Sequence, residues 1–180
     1  MLSDVEIMER VQAGDTGLFA LLVERYQSRL LRFAKSKLEN SSDAEDIVQD
    51  AFLAAYHARN SYSTDFAFST WIWTITLNLA RKVALKQSGE HKKQQAFASL
   101  PRDHQEVESP IELLLKSEQR ERLDLWLHQI PENQSDAIRL KSFGGLGYQA
   151  IASAMDCSES GAKRRVKLGL LKLSLIAEND

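Results

Sequence analysis

Four side chains near the C-terminal end of the chain share one side of a predicted helix. They are Ser160, Lys163, Arg164 and Lys167. Their spacing of i, i+3, i+4 and i+7 places them on one face of that helix. Arginine and lysine on such a face can reach base edges and phosphates when the helix lies in the DNA major groove. For any single residue a solvated surface is the alternative, but the basic cluster as a whole favours DNA binding.

A three-residue turn, residues 156–158, precedes this helix and follows a shorter predicted helix, residues 148–155. Ile151 and Met155 are predicted to face inward on the first helix. The predicted buried stripe of the second helix comprises Ala162, Val166, Leu170 and Leu173. Two helices joined so tightly, with the basic face pointing outward, predict a helix-turn-helix, which by itself indicates only a DNA-binding module.

Three carboxylates lie on one side of an earlier predicted helix, residues 42–58. Asp43, Asp46 and Asp50 are spaced at i, i+3 and i+7. The opposite side is apolar and predicted to be buried; its members are Ala44, Ile47, Val48, Ala51, Phe52 and Ala55. Carboxylates on one stripe repel one another and are favoured beside a basic partner surface. A solubilising face is the common alternative.

Aromatic residues are concentrated between these two regions, and basic residues follow them. The aromatic residues are Tyr62, Phe66, Phe68, Trp71 and Trp73, and the basic ones are Arg81, Lys82 and Lys86. Aromatic rings stack on unpaired bases with little sequence preference, and cations hold phosphates. The alternative is a core role, which we expect for Phe68 and at least one tryptophan. The pattern predicts a platform for single-stranded DNA.

Catalytic and metal-binding arrangements are absent from the sequence pattern. The histidines, His57, His91, His104 and His128, are scattered, and no nucleophile–base pairing is evident. A straight helix does not wrap Asp43, Asp46 and Asp50 around one ion. We therefore expect no enzymatic activity, no metal and no cofactor. The single Cys157 cannot form an internal disulfide, which suits a reducing compartment.

Helical periodicity covers nearly the whole chain, so the predicted fold class is all-α. Serine and glutamate three residues apart predict capping boxes at Ser3 with Glu6 and at Ser42 with Glu45. The predicted helices cover residues 3–14, 16–40, 42–58, 68–86, 109–129, 131–143, 148–155 and 159–176. Periodicity fails over 88–109, which predicts a flexible linker. The result is two small, independent helical domains, 1–87 and 110–180, the second containing the helix-turn-helix.

Bulk composition sets few limits on function. The chain has 180 residues, 43% of them hydrophobic, and a formal net charge of −2. Acidic residues crowd 43–50, whereas basic residues crowd 81–93 and 163–172, so the distribution of charge is more informative than its sum. No apolar run is long enough to span a membrane, and the N-terminal residues lack the pattern of a signal peptide. We expect no membrane insertion and a cytoplasmic location.

Taken together, both halves of the chain resemble the extracytoplasmic-function group of the sigma-70 family of RNA polymerase sigma factors. The motifs are LVERYQ at 22–27, DAEDIVQDAF at 43–52, FSTWI at 68–72, NLA at 78–80 and GLGYQAIA at 145–152. The acidic helix followed by the F-x-T-W pattern is specific in its order and spacing. The resemblance implies an alternative sigma factor that binds core RNA polymerase and directs promoter recognition, DNA melting and transcription initiation.

The resemblance also implies residue roles. Asp43, Asp46 and Asp50 would dock on the β′ clamp helices. The loop at 61–66 would capture a base flipped from the −10 element. The residues assigned to the −10 element are Tyr62, Trp71, Asn78, Arg81 and Lys82. Ser160, Lys163, Arg164 and Lys167 would read the −35 element while their domain, 110–180, rests on the β-flap. The linker, 88–109, would run toward the RNA exit channel, and regulation is expected from a separate partner such as an anti-sigma factor.

The C-terminal motif departs from the family pattern at several positions, which bear on the −35 preference. Gln149 and Ala150 stand where acidic residues are usual, and Gly147 replaces a serine or threonine cap. Residues 158–160 (SES) replace a proline-containing helix start. Gly169 lies inside the last predicted helix, where glycine costs about 1 kcal/mol relative to alanine.

Three other classes of protein remain open on the residues alone. A helix-turn-helix regulator of another family would explain 131–176 but would leave the acidic helix and the aromatic segment without a role. A helical enzyme lacks a candidate active site, and a structural bundle leaves the charge segregation unexplained. Binding to core polymerase separates the sigma factor from the first of these.

Overall fold

The computed structural model describes residues 2–38, 40–91 and 110–179, and all regular secondary structure within them is helical. The helices are α1 (Asp4–Gln12), α2 (Phe19–Lys37), α3 (Ser41–His57), α4 (Phe68–His91), α5 (Pro110–Gln129), α6 (Glu132–Ser142), α7 (Tyr148–Ala154) and α8 (Glu159–Asn179). Short 3-10 turns precede α2 at Thr16–Leu18 and follow α3 at Arg59–Ser61. The predicted fold class, two helical domains, is confirmed.

The starts of α1 and α3 show which of the two predicted capping boxes forms. Ser3 Oγ accepts a hydrogen bond from the Glu6 amide at 3.3 Å, and the Glu6 carboxylate accepts one from the Ser3 amide at 2.7 Å. This confirms the first box. The second is wrong, because the cap of α3 is Asn40, two residues before the predicted cap Ser42. Asn40 Oδ1 accepts a hydrogen bond from the Ser42 amide at 3.1 Å.

Helices α1–α4 enclose a core rich in aromatic side chains. Phe33 and Trp73 are fully buried and meet edge to face with their ring centroids 5.4 Å apart. Phe68 is 1% exposed, which confirms the core role predicted for it. The predicted apolar side of α3 is buried at all six positions. This core holds the outer face of α3 and the loop before α4 in place.

Helix α4 is longer than predicted. It continues to His91, past the predicted end at 86, so the first part of the predicted linker is helical. The rest of that linker, 92–109, lies outside the described residues. The backbone of α5 begins at Pro110, as predicted from proline at a first helical position.

In the C-terminal domain, α6 and α7 pack on α8. Ala162, Val166 and Leu173 are buried as predicted, but the prediction for Leu170 is wrong because its side chain is 52% exposed. Gly169 takes the buried position instead. A Cβ at Gly169 would lie 2.6 Å from Ile138 Cδ1 and 3.2 Å from Gln134 Cβ, so the glycine permits the close approach of α6 to α8.

The turn of the helix-turn-helix has clear local causes. Asp156 adopts a left-handed conformation with φ of 49°, and the Cys157 amide donates to Ala152 O at 3.0 Å, which closes the end of α7. Ser158 Oγ accepts from the Gly161 amide at 3.1 Å and caps α8. The SES sequence therefore starts the helix without the usual proline.

The two domains pack against each other, which the sequence did not predict. Helix α7 lies against α4, and buried residues of both domains form one continuous core. Arg29 of α2 donates from Nε to Phe143 O at 2.9 Å and from Nη2 to Gly144 O. The domains are therefore not independent of each other in this structure.

A group of four charged side chains, Asp136 with Lys37, Arg81 and Arg139, lies at this interface; we call it the Asp136 cluster. Asp136 is fully buried on α6, and Lys37 Nζ and Arg81 Nε of the N-terminal domain contact its two carboxylate oxygens at 2.7 and 2.8 Å. Arg139 lies 3.9 Å from Asp136 and crosses to Ser36, donating to Oγ at 3.0 Å and to the carbonyl at 2.7 Å. The cluster joins α2, α4 and α6.

None of the described helices combines the length and the apolar character needed to cross a bilayer.

Candidate nucleic-acid and polymerase interfaces

The basic face of α8 is exposed as predicted. Ser160, Lys163, Arg164 and Lys167 all point to solvent, while Ala162 and Val166 hold the helix against the rest of the domain. Lys163 Nζ contacts Glu159 at 2.7 Å and lies 5.7 Å from the centre of the Tyr148 ring. The hydrogen bond to Glu159 raises the pKa of Lys163 above its ordinary value. The side chains of Arg164 and Lys167 are exposed, so that a ligand with a repeating negative charge can contact both of them.

The acidic face of α3 divides into two parts. Asp46 and Asp50 are exposed, whereas Asp43 is half-buried and accepts a hydrogen bond from Gln87 Nε2 at 2.6 Å. Asp43 therefore helps to join α3 to α4, in addition to any contact with a partner. Leu53 follows Asp50 on the same face and is 55% exposed. The spacing of the carboxylates alone did not single out this apolar side chain.

The loop between α3 and α4, residues 62–67, is held by the side chain at its start. Tyr62 is only 6% exposed, and its ring lies against Trp71 with centroids 5.0 Å apart. Its hydroxyl donates to Phe66 O at 2.5 Å. Burial, with a contribution from the charge of Asp4, raises the pKa of this hydroxyl, so it remains a donor. An accessible ring at Tyr62 was expected, and that expectation is corrected.

The exposed aromatic side chain of this loop is Phe66. It is 67% exposed, at the end of the turn that Tyr62 closes. Trp71 is half-buried and packs on the core, against the rings of Tyr62 and Phe68. Asn78 and Lys82 are exposed on α4. The sequence indicated Phe66 as one of the aromatics, but only the fold distinguishes its exposed ring from the buried rings around it.

Arg81 is brought to the same helix as Asn78 and Lys82 but is not free. Its Nε is bound to the buried Asp136 carboxylate of the other domain. Asp136 occupies Nε of this guanidinium, so a phosphate would bind the remaining donors of the partly exposed side chain. Local sequence shows only a basic residue here, because the carboxylate that pairs with it lies 55 residues further along the chain.

Among the described residues, no group of three histidine, cysteine or carboxylate side chains is arranged to hold a metal ion. The surfaces that remain are an acidic face on α3, an aromatic and basic region at the start and along α4, and a basic face on the second helix of a helix-turn-helix. Together these features describe a helical protein that contains a helix-turn-helix and carries its exposed acidic and basic residues on separate faces.

Comparison with known proteins gives the family. The family model for Sigma-70 region 2 matches residues 22–89, and that for Sigma-70 region 4 matches residues 120–173. The chain is 33% identical over 171 residues to the ECF RNA polymerase sigma-E factor of Escherichia coli K12, covering 92% of this chain and 89% of that protein. It is 31% identical over 169 residues to the RNA polymerase sigma-H factor of Pseudomonas aeruginosa, covering 91% and 88%.

Solved structures show the same fold. CnrH in complex with the cytosolic domain of CnrY matches with a TM-score of 0.77 and 22% identity, over 98% of both chains. The sigma factor RpoE from Bartonella quintana, in complex with the anti-sigma factor NepR, matches with a TM-score of 0.72 and 22% identity, over 90% of this chain and 98% of that one.

The chain belongs to the extracytoplasmic-function group of the sigma-70 family. It is an alternative sigma factor, a DNA-binding partner of core RNA polymerase that directs transcription initiation, and its family is not enzymatic.

Proposed function

We propose that the sigma factor uses three of its exposed surfaces for separate steps of initiation. The face of α3 docks on the β′ clamp helices, the loop at 62–67 with α4 binds the −10 element, and α8 reads the −35 element. The observation that carries this proposal is that α3 and α8 each have a buried apolar side and an exposed charged side, acidic on α3 and basic on α8.

On α3, Asp46 and Asp50 supply the charge for polymerase docking, and Leu53 supplies an apolar contact beside them. Asp43 contributes chiefly by fixing α3 to α4 through Gln87. Exposed carboxylates facing a basic surface raise the rate of encounter and fix orientation. This accounts for the exposure of Asp46 and Asp50, for which the described part of the chain provides no ion pair.

At the −10 element, Phe66 offers the accessible ring, while Tyr62 and Trp71 support the loop from below. Asn78 is placed on α4 to contact an unpaired base, and Lys82 to contact a phosphate. Arg81 joins them through the guanidinium donors other than Nε, since Nε binds the Asp136 carboxylate and the side chain is 29% exposed.

At the −35 element, Arg164 and Lys167 lie on the groove-facing side of α8, with Ser160 and Lys163 beside them. The domain boundaries follow the same division: the unit ending with α4 serves the −10 element and core polymerase, and the unit from α5 to α8 serves the −35 element and the β-flap. We place the protein in the cytoplasm and propose that an anti-sigma factor regulates it.

A charge-reversal experiment tests the docking surface. We expect Asp46→Lys with Asp50→Lys to weaken binding to core polymerase, because like charges at a complementary interface repel each other. The matched control is Asp15→Lys with Glu24→Lys, which makes the same change in net charge at exposed positions elsewhere. Equal binding of core by the two double variants would remove α3 as the docking surface.

Run-off transcription with core polymerase on a promoter library tests the proposal as a whole and supplies promoters for finer work. A library that yields no preferred −10 or −35 sequence would contradict it. A permanganate footprint on a selected promoter then reports melting, and Asn78→Ala is expected to reduce melting while core binding persists.

A further inference from the structure

The side chain of Gln12, at the end of α1, reaches into the segment that leads to the −10 loop. Its Nε2 donates two hydrogen bonds, to the carbonyl oxygens of Arg59 and Tyr62, both at 2.8 Å. These carbonyls bracket the 3-10 turn that connects α3 to the loop. One amide group therefore fixes both ends of a turn that lies about 50 residues away in the sequence.

Helix α1 is itself held firmly, so Gln12 is a rigid anchor. Ile7, Met8 and Val11 are 0–1% exposed in the N-terminal core. At the other end of the helix, Asp4 accepts a hydrogen bond from Arg25 Nη1 at 2.6 Å and one from the Tyr26 hydroxyl. A helix fixed at both ends cannot rotate to follow a displaced loop.

From Gln12 the hydrogen bonds continue to the exposed end of the loop. Gln12 holds the Tyr62 carbonyl, and the Tyr62 hydroxyl donates to Phe66 O. Phe66 is the loop residue whose ring is exposed. Two side-chain hydrogen bonds therefore connect α1 to Phe66, the first donated by Gln12 and the second by Tyr62. Within the loop, the backbone bond from Phe66 N to Ser63 O at 3.2 Å shapes the turn but does not fix it to the core.

We propose that Gln12 is a positioning residue for −10 recognition: it sets the position of the loop at 62–67 and therefore of Phe66, without touching DNA. This rests on the proposed role of that loop. The requirement is for a donor at the end of the side chain, since both partners are carbonyl oxygens. A carboxylate of the same shape would face both oxygens with negative charge and could not replace the amide.

The test uses holoenzyme, formed from core polymerase and the full chain, and a single-stranded oligonucleotide carrying the −10 element of a promoter selected by run-off transcription. Gln12→Glu is expected to weaken oligonucleotide binding about tenfold, the factor that corresponds to the net loss of one to two hydrogen bonds. Gln12→Lys keeps hydrogen-bond donors and is expected to restore most of the affinity. Gln27→Glu, an exposed site on α2, is the control and should bind as the wild type does.

A merely structural role is separated from positioning by the pattern of the loss. Positioning predicts that Gln12→Glu flattens base preference at the one −10 position read by the loop, while affinity for core polymerase and for duplex −35 DNA is unchanged. An equal loss on core, −10 and −35 ligands would overturn the proposal, as would a Gln12→Lys variant as weak as Gln12→Glu.

Phe66→Ala distinguishes this proposal from the proposed function on which it rests. If Phe66→Ala weakens oligonucleotide binding and Gln12→Glu does not, the loop binds the −10 element and Gln12 does not position it. If neither substitution has an effect, the loop has no role in −10 binding, and both proposals fail.

Discussion

Replacing Asp136 by asparagine is expected to open the contact between the two domains. Asparagine keeps the shape of the side chain but removes the charge that faces Lys37 and Arg81 from the N-terminal domain. Lys37 would remain buried, and among the described residues its remaining anionic partner would be the half-exposed Glu132, at 2.7 Å. Asp136 accordingly connects the domains through charge, and the asparagine variant isolates that contribution.

The size of the effect follows from burial. Removing one partner of a buried ion pair costs about 3–5 kcal/mol, because the remaining charge is left without compensation. Asparagine can still accept one hydrogen bond, so we take the lower end, about 3 kcal/mol, which shifts the equilibrium between packed and separated domains by roughly 100-fold. The contact with Arg81 adds less, because that side chain is partly exposed and solvent screens it.

Small-angle scattering of the full chain provides the assay, with the radius of gyration as its readout. Glu132→Gln is the matched control: it removes a carboxylate from the same lysine, but at an exposed position where a pair contributes about 0–1 kcal/mol. Asp136→Asn is expected to increase the radius of gyration, and Glu132→Gln is not. A double-mutant cycle that combines Asp136→Asn with Lys37→Met, measured on the free energy of unfolding, gives the coupling energy between these two residues. Unchanged dimensions and a coupling near zero in Asp136→Asn would refute the assignment of the cluster as the domain contact.

Three further predictions concern the C-terminal domain. Gly169→Ala is expected to lower the melting temperature despite a helix-propensity gain of about 1 kcal/mol, because the new Cβ meets Ile138 and Gln134. Addition of Ile138→Val should restore part of the loss. A raised melting temperature for Gly169→Ala would contradict the packing argument. Arg164→Ala is expected to relax base preference within the −35 element, where a bidentate guanine contact contributes about 1–3 kcal/mol. Lys167→Ala should instead weaken binding to all DNA sequences alike and lower the slope of log affinity against log salt concentration by about one. Binding to single-base −35 variants at two salt concentrations measures both effects, and an unchanged base preference in Arg164→Ala would place specificity elsewhere. Asp156→Val should destabilise the domain by about 1–3 kcal/mol in thermal unfolding, because a β-branched residue is strained at a φ of 49°. Asp156→Gly, which removes that strain, should not destabilise it. Equal stability of the two variants would count against strain at this turn.

Interactions within one helix or one turn could be predicted from the sequence. The outward direction of Lys163, Arg164 and Lys167 follows from helical spacing, and it is confirmed because Ala162 and Val166 on the other face are buried. The capping box at Ser3 also depends only on neighbouring residues. Local patterns failed at the cap of α3, where Asn40 and Ser42 are both residue types that cap helices well.

The tertiary structure decided everything that depends on pairs far apart in the chain. It joined Asp136 to Lys37 and Arg81, it buried Tyr62 and exposed Phe66, and it placed Gln12 beside the carbonyls of the −10 loop. Periodicity shows which side of a helix is apolar but not which other helix covers it. For that reason the sequence by itself determined the helices, their charged faces and the family resemblance. Only the packing of α7 on α4 and of α6 on α8 determined that Arg81 Nε binds Asp136 and that position 169 lies close to Ile138 and Gln134.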